Sequence, residues 1–177
     1  RFVHISSLDP EQKNFHLLVR AFYRLKKQQP KIELHVVSDG DFQAYSTLLK
    51  GFEFASSIHF HGQQDSAGVA ALLQFADALV LSSRFENLPC VLLEALATGT
   101  PMISTNVGGV AEIVHAGNGI LIPSENEAAL VTAMLQIQQN HYNGQEMQRE
   151  AHLKYSPTAV SGLFLEAYEL VLNKDVA

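Results

Sequence analysis

Two glutamates eight positions apart, Glu86 and Glu94, open the chemical reading of the chain, within Phe85-Glu86-Asn87-Leu88-Pro89-Cys90-Val91-Leu92-Leu93-Glu94-Ala95-Leu96-Ala97. Glu86 falls in the loop after an apolar, strand-like run. Glu94 falls among apolar neighbours, in a stretch that reads as a helix apolar nearly all round. A carboxylate buried in such a helix costs several kcal/mol unless hydrogen bonds satisfy it. The pair would stand roughly 12 Å apart along a continuous helix. An acid/base couple acting on one glycosidic oxygen needs about 5 to 9.5 Å, so the two carboxylates are better suited to gripping separate parts of one extended ligand. The plainer alternative puts Glu94 on a wet helix face and Glu86 in an exposed loop.

Thr105-Asn106-Val107-Gly108-Gly109-Val110 is a second constellation. Paired glycines between a strand and a helix can let a ligand reach backbone N–H groups, and a helix start favours an anion; most such pairs are only turns. Lys13, in Asp9-Pro10-Glu11-Gln12-Lys13-Asn14, precedes another helix. A cation there opposes the helix dipole unless an anion sits beside it. Phosphate is the natural candidate, and a solvated surface lysine near Glu11 the plainer one. No GxGxxG or Walker sequence occurs.

His59 and His61 share a strand face at a spacing that can bind metal, but with no third ligand evident they read as a satisfied or solvent-facing pair. His4 and His35 read as core or edge residues. Cys90, after Pro89 at a helix start, reads as packing. No nucleophilic triad is assignable.

Alternating apolar runs and helical patterns position these groups. Strands are predicted at Phe2–Ile5, Ile32–Val37, Ile58–His61, Ala78–Leu81, Met102–Ser104 and Gly119–Ile122. Helices are predicted over Asn14–Lys27, Phe42–Lys50, Val69–Phe75, Leu88–Ala97 and Val110–His115, then around Leu130–Ile137 and Val160–Val171. Gln138–Gln148 reads as a loop or frayed helix. Continuously apolar strands alternating with helices imply an α/β fold, a Rossmann-like doubly wound parallel sheet of about six strands with helices on both faces. Ligands of such sheets bind beyond the carboxyl ends of the strands, where strand order reverses.

Composition bounds the rest. The 177 residues suit one domain, 1–177, and are 47% hydrophobic and 17% charged. A net charge of −6 argues against nucleic-acid binding. A single Cys excludes a disulfide framework and fits a reducing, cytoplasmic setting. No run is long enough for a membrane span. The chain begins directly on a strand pattern without an initiating Met, which predicts a domain of a longer protein.

The succession of motifs resembles the C-terminal, donor-binding half of two-domain (GT-B type) retaining glycosyltransferases, family 4 in particular. The matching residues are Gln12-Lys13-Asn14, Val37-Ser38-Asp39-Gly40, Ile58-His59-Phe60-His61-Gly62, Ala76-Asp77-Ala78-Leu79-Val80-Leu81-Ser82-Ser83, Glu86 through Pro101, Gly108-Gly109-Val110-Ala111-Glu112, and Gly119-Ile120-Leu121-Ile122-Pro123. The resemblance runs from Phe2 to Val171. It implies a sugar transfer from a nucleoside-diphosphate donor to a glycan, lipid or other hydroxyl acceptor, with no bound metal and no cofactor beyond the donor. Glu86 would accept from sugar hydroxyls, beside the backbone of Asn87 and Leu88. Glu94 would hold the ribose, Lys13 would neutralise the diphosphate, and Gly108, Gly109 and Val110 would offer N–H groups. Asp39, Gly40, His61 and Gly62 would line the donor cleft, the last two near the nucleobase.

One departure stands out. Many relatives carry an Arg where this chain has Ser7, and a hydroxyl supplies no charge. The family's N-terminal acceptor domain is also missing from these residues, so the chain alone is expected to transfer nothing. The resemblance allows peripheral contact of the parent with the inner face of a membrane. Two rival readings are a nucleotide-sugar epimerase of the same architecture and a non-catalytic flavodoxin-like binding module. The final helix is expected to leave an apolar face for a missing half, a second copy or a fold-back.

Overall fold

The computed structural model describes residues 1–40, 45, 49 and 54–172. Six parallel strands form one sheet: β1 (Phe2–Ile5), β2 (Leu34–Val37), β3 (Ile58–Phe60), β4 (Ala78–Leu81), β5 (Met102–Thr105) and β6 (Gly119–Ile122), in the order β3-β2-β1-β4-β5-β6. Strand order therefore reverses between β1 and β4, which pair through Phe2–Ala78 and Val3–Leu79. The helices are α1 (Phe15–Gln28), α2 (Ser66–Phe75), α3 (Cys90–Thr98), α4 (Glu127–Gln136), α5 (Gly144–Tyr155) and α6 (Pro157–Leu172).

The inner strands β1, β2, β4 and β5 bury both faces, which explains their apolar runs. Phe2, Leu34, Val36, Val80 and Ile103 meet α1 and α4, whereas Val3, Leu79, Leu81 and Met102 meet α2, α3 and α5. The helix ends follow local chemistry. Asp65 accepts from the Gly68 N–H at 2.8 Å, and Asn126 from the Ala129 N–H at 2.9 Å, which satisfies otherwise orphaned donors. Gly99 closes α3 in the left-handed region, φ 75°.

Several expectations are corrected. The 110–115 helix is a five-residue 3-10 turn, Gly108–Glu112, and α3 starts at Cys90 because Pro89 caps it. The polar 138–148 stretch ends in the start of α5, nucleated by Asn143, whose side chain accepts from the Gln145 and Glu146 N–H groups. The second and third strands are shorter than predicted, starting at Leu34 and ending at Phe60. The predicted Phe42–Lys50 helix lies outside the described residues. The regular apolar pattern of α6 buries nothing: Leu163, Phe164, Tyr168 and Val171 are each about 60% exposed.

His4 is a core residue, as read from its place in β1. Its Nδ1–H donates to the Val80 carbonyl at 2.8 Å, and its Nε2 accepts from the Ser6 hydroxyl at 2.8 Å. Burial is the main reason its pKa falls to about 4. A histidine protonated more readily when unfolded contributes stability that is complete above pH 6.5 and lost as pH falls towards 4. Urea titrations should show this one group removing about 3 kcal/mol between pH 7 and pH 4. His4→Gln should flatten that part of the pH dependence; an unaltered slope would contradict a buried neutral imidazole.

Candidate functional site

The loops leaving β1 and β4 meet at the reversal of strand order. The β1 loop runs from Ser6 to Asn14 and the β4 loop from Ser82 to Pro89. Backbone and side chains lock them together. The Arg84 N–H donates to the Gln12 carbonyl at 2.8 Å, and the Arg84 guanidinium reaches the carbonyls of Pro10 and Glu11. The Ser82 hydroxyl lies within reach of the carbonyls of Lys13 and Asn14, at 3.0 and 3.2 Å. Asn14, buried, turns the chain into α1 in the left-handed region, φ 47°.

This arrangement brings Lys13 onto Glu86. Lys13 Nζ donates to Glu86 Oε1 at 2.7 Å, and the side chains are only 15% and 5% exposed. The Ser83 hydroxyl donates to the same carboxylate at 2.6 Å, and Gln12 Nε2 approaches its other oxygen at 3.4 Å. Beside Lys13 at the start of α1 stands the chain's own Glu86, which corrects the plainer readings of a solvated surface lysine and an exposed loop carboxylate. Sequence reasoning missed the pair, and also Ser83 and Gln12 as its supports. The polar Ser82-Ser83 step directly after an apolar strand was the available signal.

Gly108 is glycine for the sake of this loop. It sits at φ 53°, and a Cβ there would come within 1.8 Å of the Glu86 carbonyl oxygen. The Gly109 N–H donates to the Asn87 carbonyl at 2.8 Å, and the Val110 N–H to Val107 at 3.3 Å. The space beside both glycines is taken up by the chain's own 86–88 backbone. Their backbone buttresses the 86–88 loop, and a turn this short carries little of the dipole expected of a helix start. Asn87 and Leu88 stand exposed at the rim.

Glu94 differs more sharply from expectation. Only Leu92, Ala95 and Leu96 of α3 are buried, and Glu94 is exposed. Its charge is solvated, so no ligand is needed to explain its presence in the helix. It borders a cavity of about 470 Å³ together with Leu93, Gln148, His152 and Tyr155. Cys90 is exposed as well, so it is not packing.

Beyond β1 and β2 a smaller cavity of about 180 Å³ is lined by Ser6, Ser38, Asp39 and Gln64. Around it, Asp39 and Ser7 are exposed. Gly40 lies so close to Ser7 that a Cβ would meet its carbonyl at 2.7 Å, and the Gly62 carbonyl accepts from the Ser38 N–H at 3.2 Å. A larger cavity, about 490 Å³, lies at the opposite end of the strands beside Asp77 and Pro101, away from every one of these groups. His61 pairs with His35, and burial lowers the pKa of both rings. The absence of a third ligand near His59 is also corrected: Glu33 and His35 lie beside it.

The sequence pattern of the glycosyl transferases group 1 family matches residues 1–140, and the chain belongs to that family. Among curated relatives, a putative colanic acid biosynthesis glycosyltransferase of Salmonella typhimurium is 32% identical over 133 residues, covering 71% of this chain and 32% of its own length. N-acetyl-alpha-D-glucosaminyl L-malate synthase of Bacillus anthracis is 32% identical over 154 residues, covering 84% of this chain and 39% of its own. The chain thus spans about a third of the length of these relatives.

Solved structures agree in fold. Sucrose-phosphate synthase of Thermosynechococcus elongatus superposes with a TM-score of 0.83 at 23% identity, over 98% of this chain and 46% of its own. The pneumococcal O-GlcNAc transferase GtfA, solved with UDP and GlcNAc, gives 0.80 at 20% identity, over 97% and 35%. The chain is a glycosyltransferase domain with the Rossmann-like fold found in GT-B enzymes. No helix in the described residues is long and apolar enough to cross a membrane.

Breaking a buried ion pair from one side costs about 3–5 kcal/mol, because the other charge is left behind. In thermal or urea unfolding, Lys13→Ala should therefore destabilise strongly, and adding Glu86→Gln should restore part of the loss. Additive effects of the two substitutions would show that the pair is not formed.

Proposed function

We propose that this is the donor-binding, C-terminal domain of a retaining glycosyltransferase of family 4, which moves a sugar from a nucleoside-diphosphate sugar to an acceptor hydroxyl. The Lys13–Glu86 pair at the reversal of strand order carries the reading. It holds one cation and one acceptor carboxylate at the place where sheets of this kind bind nucleotides. In this reading the diphosphate takes over Lys13, and Glu86, still held by Ser83, turns its acceptor capacity to sugar hydroxyls. The substrate thereby inherits a positioned, partly desolvated cation for the charge that develops on the leaving diphosphate.

No protein nucleophile is assigned, and the leaving diphosphate assists the acceptor on the same face. No metal or cofactor is assigned to that step. Asp39, Gly40, Gly62 and His61 border the donor cleft, and Ser7 contributes a hydroxyl without charge. Glu94 holds the ribose from the cavity it borders on α3. The UDP held by two solved neighbours, GtfA and HepE of Anabaena, supports a nucleoside-diphosphate donor. The acceptor, a glycan or lipid, binds a further domain of the whole protein, a cytoplasmic enzyme that meets the inner face of the membrane peripherally.

Calorimetric titration with nucleoside diphosphates tests the reading. Lys13→Ala should weaken binding about tenfold or more and reduce its salt dependence, as loss of a charge-assisted contact of about 1.5–3 kcal/mol requires. An unchanged salt slope removes Lys13 from the phosphate. Glu94→Gln should weaken ribonucleotides far more than 2′,3′-dideoxy analogues, and equal losses would cancel the ribose assignment. The isolated chain should bind donor yet give no turnover with any acceptor; sustained transfer would show that no second domain is needed.

A further inference from the structure

Four side chains gather on one face of the sheet edge, away from the Lys13–Glu86 pair. Glu33 immediately precedes β2, and strand register sets His35 of β2 directly beside His59 of β3. Their rings stack, with centroids 4.9 Å apart and planes 23° from parallel. One Glu33 oxygen lies 3.6 Å from His35 Nε2, and the other 3.7 Å from His59 Nε2. A donor atom from each of the three residues falls within 4.8 Å of the other two.

These distances are too long for hydrogen bonds, whose heavy atoms sit at about 2.7–3.2 Å. They are close to the spacing of about 3.4 Å between ligands sharing one tetrahedral metal at about 2.0–2.1 Å. The hydrogen-bond pattern agrees. Nε2 of His35 and Nε2 of His59 are buried and have no hydrogen-bond partner. His35 as a whole is only 8% exposed, so water does not satisfy it. Native structures rarely leave two such buried nitrogens without a partner beside one carboxylate unless there is a reason.

The other side of His35 is already occupied. Its Nδ1 lies 2.9 Å from His61 Nε2. With the proton on Nδ1 donated to His61, the lone pair of His35 rests on Nε2, on the side where Glu33 lies. Metal-bound imidazoles are oriented in this way by a partner on the second nitrogen. Phe75 packs against the cluster, its ring T-shaped to His35 at 5.2 Å, with the Arg1 guanidinium over that ring.

We infer that Glu33, His35 and His59 form a binding site for a divalent transition-metal cation of the zinc type, with His61 orienting His35 from behind. Two imidazoles and one carboxylate suit Zn²⁺ and disfavour Mg²⁺ and Ca²⁺, which seek oxygen ligands. Glu33 and His59 are each about 40% exposed, so the fourth position faces solvent and takes a water. The ion joins the segment before β2 to the edge strand β3, whose three residues otherwise hold to the sheet through β2 alone. The ion's role is to hold the edge strand, and no step of the transfer reaction is assigned to it.

The test uses the chain stripped of metal with a chelator and titrated with Zn²⁺ by calorimetry, with Co²⁺ as the spectroscopic probe. One equivalent of Zn²⁺ should bind and raise the melting temperature, Mg²⁺ should not, and bound Co²⁺ should show tetrahedral ligand-field bands. Glu33→Ala and His59→Ala alter partly exposed side chains and leave the core intact. Each should weaken Zn²⁺ by well over tenfold and abolish the thermal shift, while His61→Phe should cost about 10- to 100-fold as a loss of ligand orientation. His115→Ala, which alters a separate histidine–carboxylate pair with Glu150, should change nothing. Absence of Zn²⁺ binding, equal binding by the Glu33→Ala/His59→Ala double variant, or loss in His115→Ala instead would each overturn the assignment.

Discussion

The contact between Lys13 and Glu86 depends on one topological fact and in turn explains much of the local sequence. Only the reversal of strand order makes β1 and β4 neighbours, and so lets a loop residue at position 13 meet one at position 86. At 2.7 Å and an effective dielectric of about 20, the gross attraction is about 6 kcal/mol, most of it offset by taking both groups out of water. Such a pair adds little net stability. What it supplies is geometry: two charges held in place by Ser83, by Gln12 and by the Arg84 contacts that bind the loops to each other.

That economy extends to the glycines. The backbone at 108 and 109 lies against the carbonyls of Glu86 and Asn87, so the third loop at this edge supports the second. The Thr105 hydroxyl donates to the Ser83 carbonyl at 2.6 Å and adds a strut from β5. The carboxylate is thus fixed from several directions by elements distant in sequence. A ligand entering here meets groups already in position and avoids the entropy of assembling them.

The fold was legible because two-sided burial leaves a strong imprint. Short apolar runs such as Ala78-Leu79-Val80-Leu81, alternating with helical patterns, read as parallel strands covered on both faces, and Gly99 followed by Pro101 marks a helix end. The site was legible in membership but not in geometry. Lys13 and Glu86 were both singled out, yet their pairing needs strand order, which no local pattern encodes. The exposure of Glu94 was hidden for a different reason. A helix of nine residues with small side chains such as Ala97 reads as apolar all round, but it needs only the strip at 92, 95 and 96 to face the core. Apolar composition is not burial, and the long apolar α6, with nothing buried, makes the same point on a larger scale.

The histidines show how strand register creates chemistry that spacing hides. His59 and His61 were visible as a pair two apart, whereas His35 lies 24 positions upstream of His59 and becomes its direct neighbour only through the β2–β3 pairing. The same alternation sends His4 to the opposite face, where Val80 and Ser6 satisfy both of its nitrogens. Two strand histidines with similar sequence surroundings thus reach different ends. One is closed off by its own hydrogen bonds and can only be core. The other keeps a buried, unpartnered nitrogen beside a carboxylate and a stacked second imidazole, the arrangement that the inferred cation would complete.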